Sequence, residues 1–209
     1  MKTVYFVRHG ESEGNAGHYF QGTDTPLTTK GEEQARVVAL RARSIPVDLM
    51  ISSSLYRVQQ TAQIIADSIQ KPFETSDLFN ERLRPSTLIG KKLNDPEARI
   101  MENRWIQSFI GGARVGDGEN FDDVKIRASR ALDYLASRQE ENILVVTSGF
   151  LLRMFVAQVI FGSELSEVEF NKMEGAFKTE NTGITVFKYD PKKKRQWCVW
   201  VWNDHAHLG

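Results

Sequence analysis

Apolar positions along this chain fall into two rhythms. "VYFV" at 4–7 and "NILVV" at 142–146 are short unbroken apolar runs, the pattern of buried strands, and "VDLMISS" at 47–53 predicts another strand. Between them the apolar residues recur at helical spacing. Residues 31–43 place Ala35, Val38, Ala39 and Ala42 on one face, with Thr29 and Glu32 spaced for a capping box. In the next helix Val58, Ala62, Ile65 and Ile69 share a face, and "KPF" ends it. Residues 121–138 align Val124, Ala128, Leu132 and Leu135, and "FLLRMFVAQVIF" is apolar on most sides, which predicts a deeply buried helix. "GITVFKY" and "QWCVWVW" flank "DPKKKR", a hairpin at a sheet edge.

Residues 82–120 differ in texture. Pro85, Pro96 and the glycine-rich "GGARVGDGEN" surround one helical piece around 97–110, which reads as an excursion from the sheet within a single domain spanning 1–209. Strand and helix alternation elsewhere predicts an α/β fold. Its form is a three-layer αβα sandwich, a mostly parallel sheet with helices on both faces and an antiparallel edge strand near the C-terminus. Such sheets bind ligands at the carboxyl ends of their strands, where Arg8, His9, Ser52 to Ser54 and Ser148 fall.

Composition narrows the chemistry. Lys plus Arg and Asp plus Glu stand at 27 each, so no net field draws the chain to nucleic acid or a membrane, and anion binding has to come from a local cluster of cations. Cys198 is the one cysteine, which leaves no internal disulfide and no cysteine metal site. The four apolar residues before Arg8 are too few for a signal-peptide core. The longest apolar stretch falls short of a membrane span. Cytoplasmic localisation is the expectation.

"RHG" at 8–10 alone says little, since a lone histidine after a strand is more often a satisfied structural residue. It gains weight from Arg57 in "SSLYRVQQTA", in the first turn of a helix whose expected N-cap is Ser53 or Ser54. There the backbone N–H groups favour an anion and the guanidinium offers a planar fork. "KKKR" at 192–195 reads as a solvated turn, and Trp197, Trp200 and Trp202 as core or as an association edge that would allow a homodimer.

"RHGESEGN", "QGTDTPLTTKGEEQA", "SSLYRVQQTA", "NERLRPS", "DGENFDDVKIRASRAL", "GFLLRMF" and "NDHAHL" together resemble, in order and over nearly the whole chain, the histidine phosphatase superfamily, which includes the cofactor-dependent phosphoglycerate mutases. The resemblance implies that His9 is a nucleophile that becomes transiently phosphorylated. It implies that Arg8, Arg57 and Asn15 hold the phosphoryl oxygens, and that Glu81 protonates the leaving group and then activates water. Gln21, Gly22 and Thr23 match a loop that approaches the phosphate, and residues 82–120 become a cap over the active site. Glu11 and Ser12 match the motif as structural residues, and Asn203, His205 and His207 belong to the closing segment. No metal and no organic cofactor is implied; the partners are a phosphorylated small molecule and inorganic phosphate.

The pattern breaks once. Relatives carry a second histidine after the "ILVV" strand, in the frame V-x-H-G with an arginine four residues beyond the glycine. Here "VTSGFLLR" keeps Gly149 and Arg153 and has Ser148 in the histidine's place. Serine still donates one hydrogen bond to a phosphoryl oxygen, but it is neutral and short. Losing such a donor typically costs about 10²–10³ in turnover. Three accounts fit: an engineered variant, a natural member that works slowly or with water or His18 in the gap, and a protein that binds phosphorylated ligands without turnover. Intact Arg8, His9, Arg57 and Glu81 favour a phosphatase scaffold with a damaged or modified site. A phosphoglycerate mutase is the second enzymatic reading, weakened because residues 82–120 are short for shielding the intermediate and because "ERLRPS" departs from the mutase motif. Specificity is expected from 82–120, where Arg82, Arg84, Lys91 and Lys92 either meet an acidic ligand or form an exposed charged surface.

Overall fold

The computed structural model describes residues 1–109 and 111–209. Ile110, the last residue of the helix expected around 97–110, lies outside the described residues.

Alternating side chains explain why the sheet is buried on both faces. Strand β4 (Asn142–Thr147) sends Ile143 and Val145 into one core and Leu144 and Val146 into the other, and all four are fully buried. Strand β1 (Lys2–Arg8) repeats the division, with Val4 and Phe6 on the first side and Val7 on the second. These two strands pair in parallel, as do β4 with β2 (Leu49–Ser52) and β2 with the short β3 (Glu74–Thr75). Strand β5 (Ile184–Tyr189) runs antiparallel to β1, and β6 (Trp197–Asp204) runs antiparallel to β5 at the edge. The order β3-β2-β4-β1-β5-β6 is the mostly parallel sheet with an antiparallel C-terminal edge that the sequence predicts.

Helices α2 (Thr29–Ala42) and α3 (Tyr56–Ile69) cover the second face, and α5 (Phe121–Ser137), α6 (Gly149–Phe161) and α7 (Glu167–Glu174) the first. Phe155 of α6 sits between Phe6 and Phe79, with ring centroids 5.1 and 6.4 Å away. A four-residue helix, α1 (Glu13–Ala16), follows β1, and α4 (Pro96–Ser108) lies inside the 82–120 segment, capped by Asp95 with Pro96 in its first turn.

Two expected caps are displaced by one or two residues. α2 is capped by Thr28, whose hydroxyl accepts from Gly31 N–H at 2.9 Å, so the Thr29–Glu32 box does not form and Glu32 pairs with Arg36 instead. α3 has Leu55 at its N-cap rather than Ser53 or Ser54, because the serine hydroxyls are engaged by Asn80 and Asp77. At the edge, register shifts between β5 and β6 interrupt the period of two. Trp197 and Trp202 both pack on the core, while Trp200 stays 64% exposed beneath Lys188 Nζ at 3.8 Å.

Candidate phosphate-binding site

The carboxyl ends of β1, β2 and β4 bring distant segments to one cavity of about 440 Å³, lined among others by Arg8, His9, Asn15, Gln21, Arg57 and Glu81. A larger groove of about 850 Å³ beside α5 contains no histidine, so volume does not select the site; chemistry does. Among the described residues, the buried side-chain polar atoms without a partner are Arg8 Nε, Arg57 Nε, Arg84 Nε, Arg153 Nε and Ser148 Oγ. All four arginines line this cavity. Native interiors leave few such atoms unsatisfied, and a convergent set of orphan donors marks a place for an anion.

His9 ends β1. Its backbone N–H donates to Thr147 O at 3.0 Å, and its carbonyl accepts from Asn181 Nδ2 at 2.9 Å. The ring Nδ1 lies 2.7 Å from Gly10 O, and because a carbonyl only accepts, Nδ1 carries the proton and Nε2 keeps the lone pair. The ring is almost wholly buried, and burial together with the Arg57 and Arg8 charges holds its pKa well below the ordinary imidazole value. The chain can turn so tightly after His9 because Gly10 and Gly31 meet backbone to backbone. A Cβ on Gly31 would lie 1.9 Å from Glu11 O.

Arg8 is fixed from the other side by the segment after α7. Its guanidinium donates to Thr179 O and its carbonyl accepts from Thr182 N–H at 3.0 Å. It crosses directly over Gly149, where a Cβ would stand 3.3 Å from Arg8 Nε and 2.6 Å from Thr179 Oγ1. Arg57 donates to Gly22 O at 3.0 Å, so Gly22 acts on this site through Arg57 and itself lines an adjoining cavity. Burial lowers the Arg57 pKa to about 10.

Glu81 follows a 3₁₀ turn (Asp77–Phe79) that is pinned on several sides. Thr147 Oγ1 donates to Phe79 O, and Arg127 donates to Asn80 O and Glu81 O while pairing through two bonds of 2.8 Å with the buried Glu119. The Glu81 carboxylate accepts from its neighbours' backbones, Arg82 N–H at 3.0 Å and Phe150 N–H at 3.5 Å, and makes no ion pair with Arg82 or Arg84. Asn15 closes a capping box with Ser12, whose hydroxyl also reaches Gln21 Oε1 at 2.9 Å. Ser12 is therefore structural, as is Glu11, which accepts from Thr28 and Lys30.

Several expectations land elsewhere. Ser148 is fully buried one residue behind the cavity wall, where Gly149 does the lining. His18 is exposed on a loop with φ 51° and does not line the cavity, so it does not fill the gap left by Ser148. Thr23 lines the adjoining cavity. Arg82 is not an exposed surface charge. It is 7% exposed and stacks 3.7 Å from the Trp105 centroid, donating to Glu119 O and Trp105 O. Lys91 and Lys92 stay out of the cavity, whereas Arg84 enters it. At the C-terminus His207 accepts from Arg41 and donates to Thr182 Oγ1, and Asn203 Oδ1 accepts from Glu180 N–H, so the segment closes the fold. Reading the sequence did not single out Phe150, Glu174, Phe177 or Thr179 as cavity residues. "KTENTG" carries no motif, and only the polar run just before β5 hints at it.

An α/β protein with a cation-lined pocket at its strand ends is thereby defined, and its sequence places it more closely. The profile of the histidine phosphatase superfamily (branch 1) matches residues 4–204, and the chain belongs to that family. A relative named "Probable phosphoglycerate mutase GpmB" from Enterobacter sp. (strain 638) is 36% identical over 216 residues, covering 100% of this chain and 95% of its own. Among solved structures, a phosphoserine phosphatase variant from Entamoeba histolytica in complex with phosphoserine superposes with a TM-score of 0.79 at 25% identity, covering 100% of both chains. YhfR of Bacillus stearothermophilus shares the fold at 24% identity, with a TM-score of 0.82 and 100% of both chains covered. No helix among the described residues is long and apolar enough to cross a membrane.

Proposed function

We propose that this protein is a phosphomonoester hydrolase that works through a phosphohistidine on His9. Nε2 of His9 attacks phosphorus in line, the bond from phosphorus to the alcohol oxygen breaks, and Glu81 gives its proton to the departing oxygen. Arg8, Arg57 and Asn15 bind the phosphoryl oxygens, where positioning and electrostatics supply most of the rate. Glu81, now a carboxylate, takes a proton from water, whose oxygen attacks the phosphohistidine. Inorganic phosphate leaves and His9 is neutral again. Neither a metal nor an organic cofactor takes part. Residues 82–120 act as a cap over the cavity and supply Arg84 to its wall.

One observation carries the reading: the orphan guanidinium atoms of Arg8 and Arg57 flank an imidazole whose Nδ1–H is already spent on Gly10 O. With Ser148 where the second histidine stands in relatives, one electrostatic donor to the phosphoryl group is missing, and turnover is slower by about 10²–10³ than it would be with imidazole there. Phosphate release from a panel of metabolite phosphates, with His9→Ala as the blank, tests the proposal. Release by the wild type alone supports it, and equal release by both proteins overturns it.

The relative named as a phosphoglycerate mutase favours a second reading, in which the phosphohistidine returns its phosphoryl group to another hydroxyl of the same ligand. Isomerised phosphoglycerate without free phosphate would select it.

A further inference from the structure

Arg84 stands apart from the other guanidinium groups around the site. Arg8 donates to Thr179 O, Arg57 to Gly22 O, Arg82 to Glu119 O and Trp105 O, and Arg153 pairs with Glu174 at 2.9 Å. Arg84 has no hydrogen bond and no ion pair among the described residues, although its Nε is buried. Its guanidinium carbon lies 6.0 Å from the Phe20 ring centroid and 5.6 Å from that of Trp105, so aromatic faces hold it without discharging it.

Its position is as telling as its isolation. The cavity at His9 adjoins one of about 330 Å³ walled by Trp105, Phe109, Phe150 and Phe170, and one of about 310 Å³ that includes Leu55, Leu83 and Ile89. Glu81 and Arg84 line all three. Of the acids that line these cavities, Glu174 pairs with Arg153 and Asp117 accepts from the backbone N–H of Ser86, while Glu81, Asp24, Glu102 and Glu180 form no ion pair with Arg84. Arg84 shares two of these cavities with Arg57 and all three with Glu81, whereas Arg8 lines only the one at His9. Arg84 thus sits on the Glu81 and Arg57 flank, where the alcohol half of a substrate would leave.

We propose that Arg84 receives a second anionic group on the alcohol half of the substrate, so that the preferred ligands are phosphomonoesters whose leaving group carries a carboxylate or another phosphate. The inference rests on the phosphomonoester reading of the cavity. A guanidinium fork matches a carboxylate or phosphate through two parallel bonds, and a neutral alcohol leaves it unpaired. Arg84 is in this account a specificity residue.

Calorimetric titration of the full chain with glycerol 3-phosphate, 3-phosphoglycerate and 2,3-bisphosphoglycerate tests this without requiring turnover. The wild type is expected to bind one of the two more acidic probes about ten- to a hundredfold more tightly than glycerol 3-phosphate, and Arg84→Gln to abolish that preference while shifting glycerol 3-phosphate by less than about threefold. Arg84→Met, which keeps the stem packed against the aromatic rings, is expected to behave in the same way and stands in if Arg84→Gln fails to fold. Because both acidic probes carry a carboxylate, a gain shown by 3-phosphoglycerate identifies the carboxylate as the second group, and a gain shown by 2,3-bisphosphoglycerate alone identifies the second phosphate. A preference that survives both substitutions, or a wild type that shows none, overturns the proposal. Selective binding without phosphate release would leave it standing and remove the hydrolytic reading instead.

Discussion

His9 is held in one tautomer by a carbonyl and kept neutral by burial and by the Arg57 and Arg8 charges, and that combination has measurable consequences. Because its pKa lies well below the ordinary imidazole value, the profile of kcat/KM against pH should show no loss of activity on descending through about 6.5. A limb at that value that coincides with titration of the His9 imidazole, followed by NMR, would contradict the neutral nucleophile. Folding is linked to the same shift. A depressed histidine pKa contributes stability that is present above the unfolded value and is lost as pH falls below about 6.5 towards the folded one. His207, depressed by burial and by Arg41, acts in the same direction. Thermal denaturation at descending pH should therefore show a falling Tm, with a shallower slope in His207→Gln. At Ser148 the prediction is a gain: Ser148→His raises kcat by about 10²–10³, measured by phosphate release. An unchanged rate would mean that the missing imidazole is not what limits turnover. His9 and Ser148 could be placed at strand ends because each follows an apolar run that ends abruptly, while the roles expected of them came from the family resemblance and not from spacing. Arg84 could be named but not separated from Arg82, since only packing shows one stacked on Trp105 and the other left without a partner.

Among the elements, the ones with a strong period were the ones that could be read in advance. β1, β4, α3, α5 and α6 follow from apolar spacing alone, and the hairpin of β5 and β6 from the turn between them. What escaped were short or polar pieces: α1, with four residues, β3, with two, and α7, whose buried residues are Phe170 and Met173. None of these has enough repeats for a period to emerge. The element that most directly orients Glu81 was also hidden, because Arg127 reads as one more charge on α5 until its pairing with Glu119 and with the carbonyls of Asn80 and Glu81 is seen. Arg127→Ala leaves Glu119 buried without its partner, and it should cost about 3–5 kcal/mol in chemical denaturation. A loss below 1 kcal/mol, the range of exposed pairs, would contradict the role assigned to the pair. Gly149→Ala tests the approach of Arg8 to α6. The added Cβ collides with Thr179 and crowds Arg8, so phosphate affinity should fall more than stability does.

At the level of the whole molecule, the sheet divides labour between its faces. The face covered by α5, α6 and α7 supplies aromatic mass, and Phe155→Ala there should destabilise by about 3–5 kcal/mol, since it empties the contact between Phe6 and Phe79. The C-terminal edge, with Asp204 paired to Arg41 of α2, shuts the loop that carries Thr179 and Asn181 over His9. The site is thus assembled from the ends of strands that are neighbours in the sheet, which is why an even balance of 27 cations and 27 anions still yields a pocket rich in guanidinium groups. The central claim is that His9 accepts the phosphoryl group, and rapid quenching into alkali with a phosphorus-labelled phosphomonoester examines it most directly. The account predicts label bound to the wild-type protein that survives alkali, is lost in acid and is absent from His9→Ala. Turnover without any protein-bound label, or label of equal amount on His9→Ala, would contradict it.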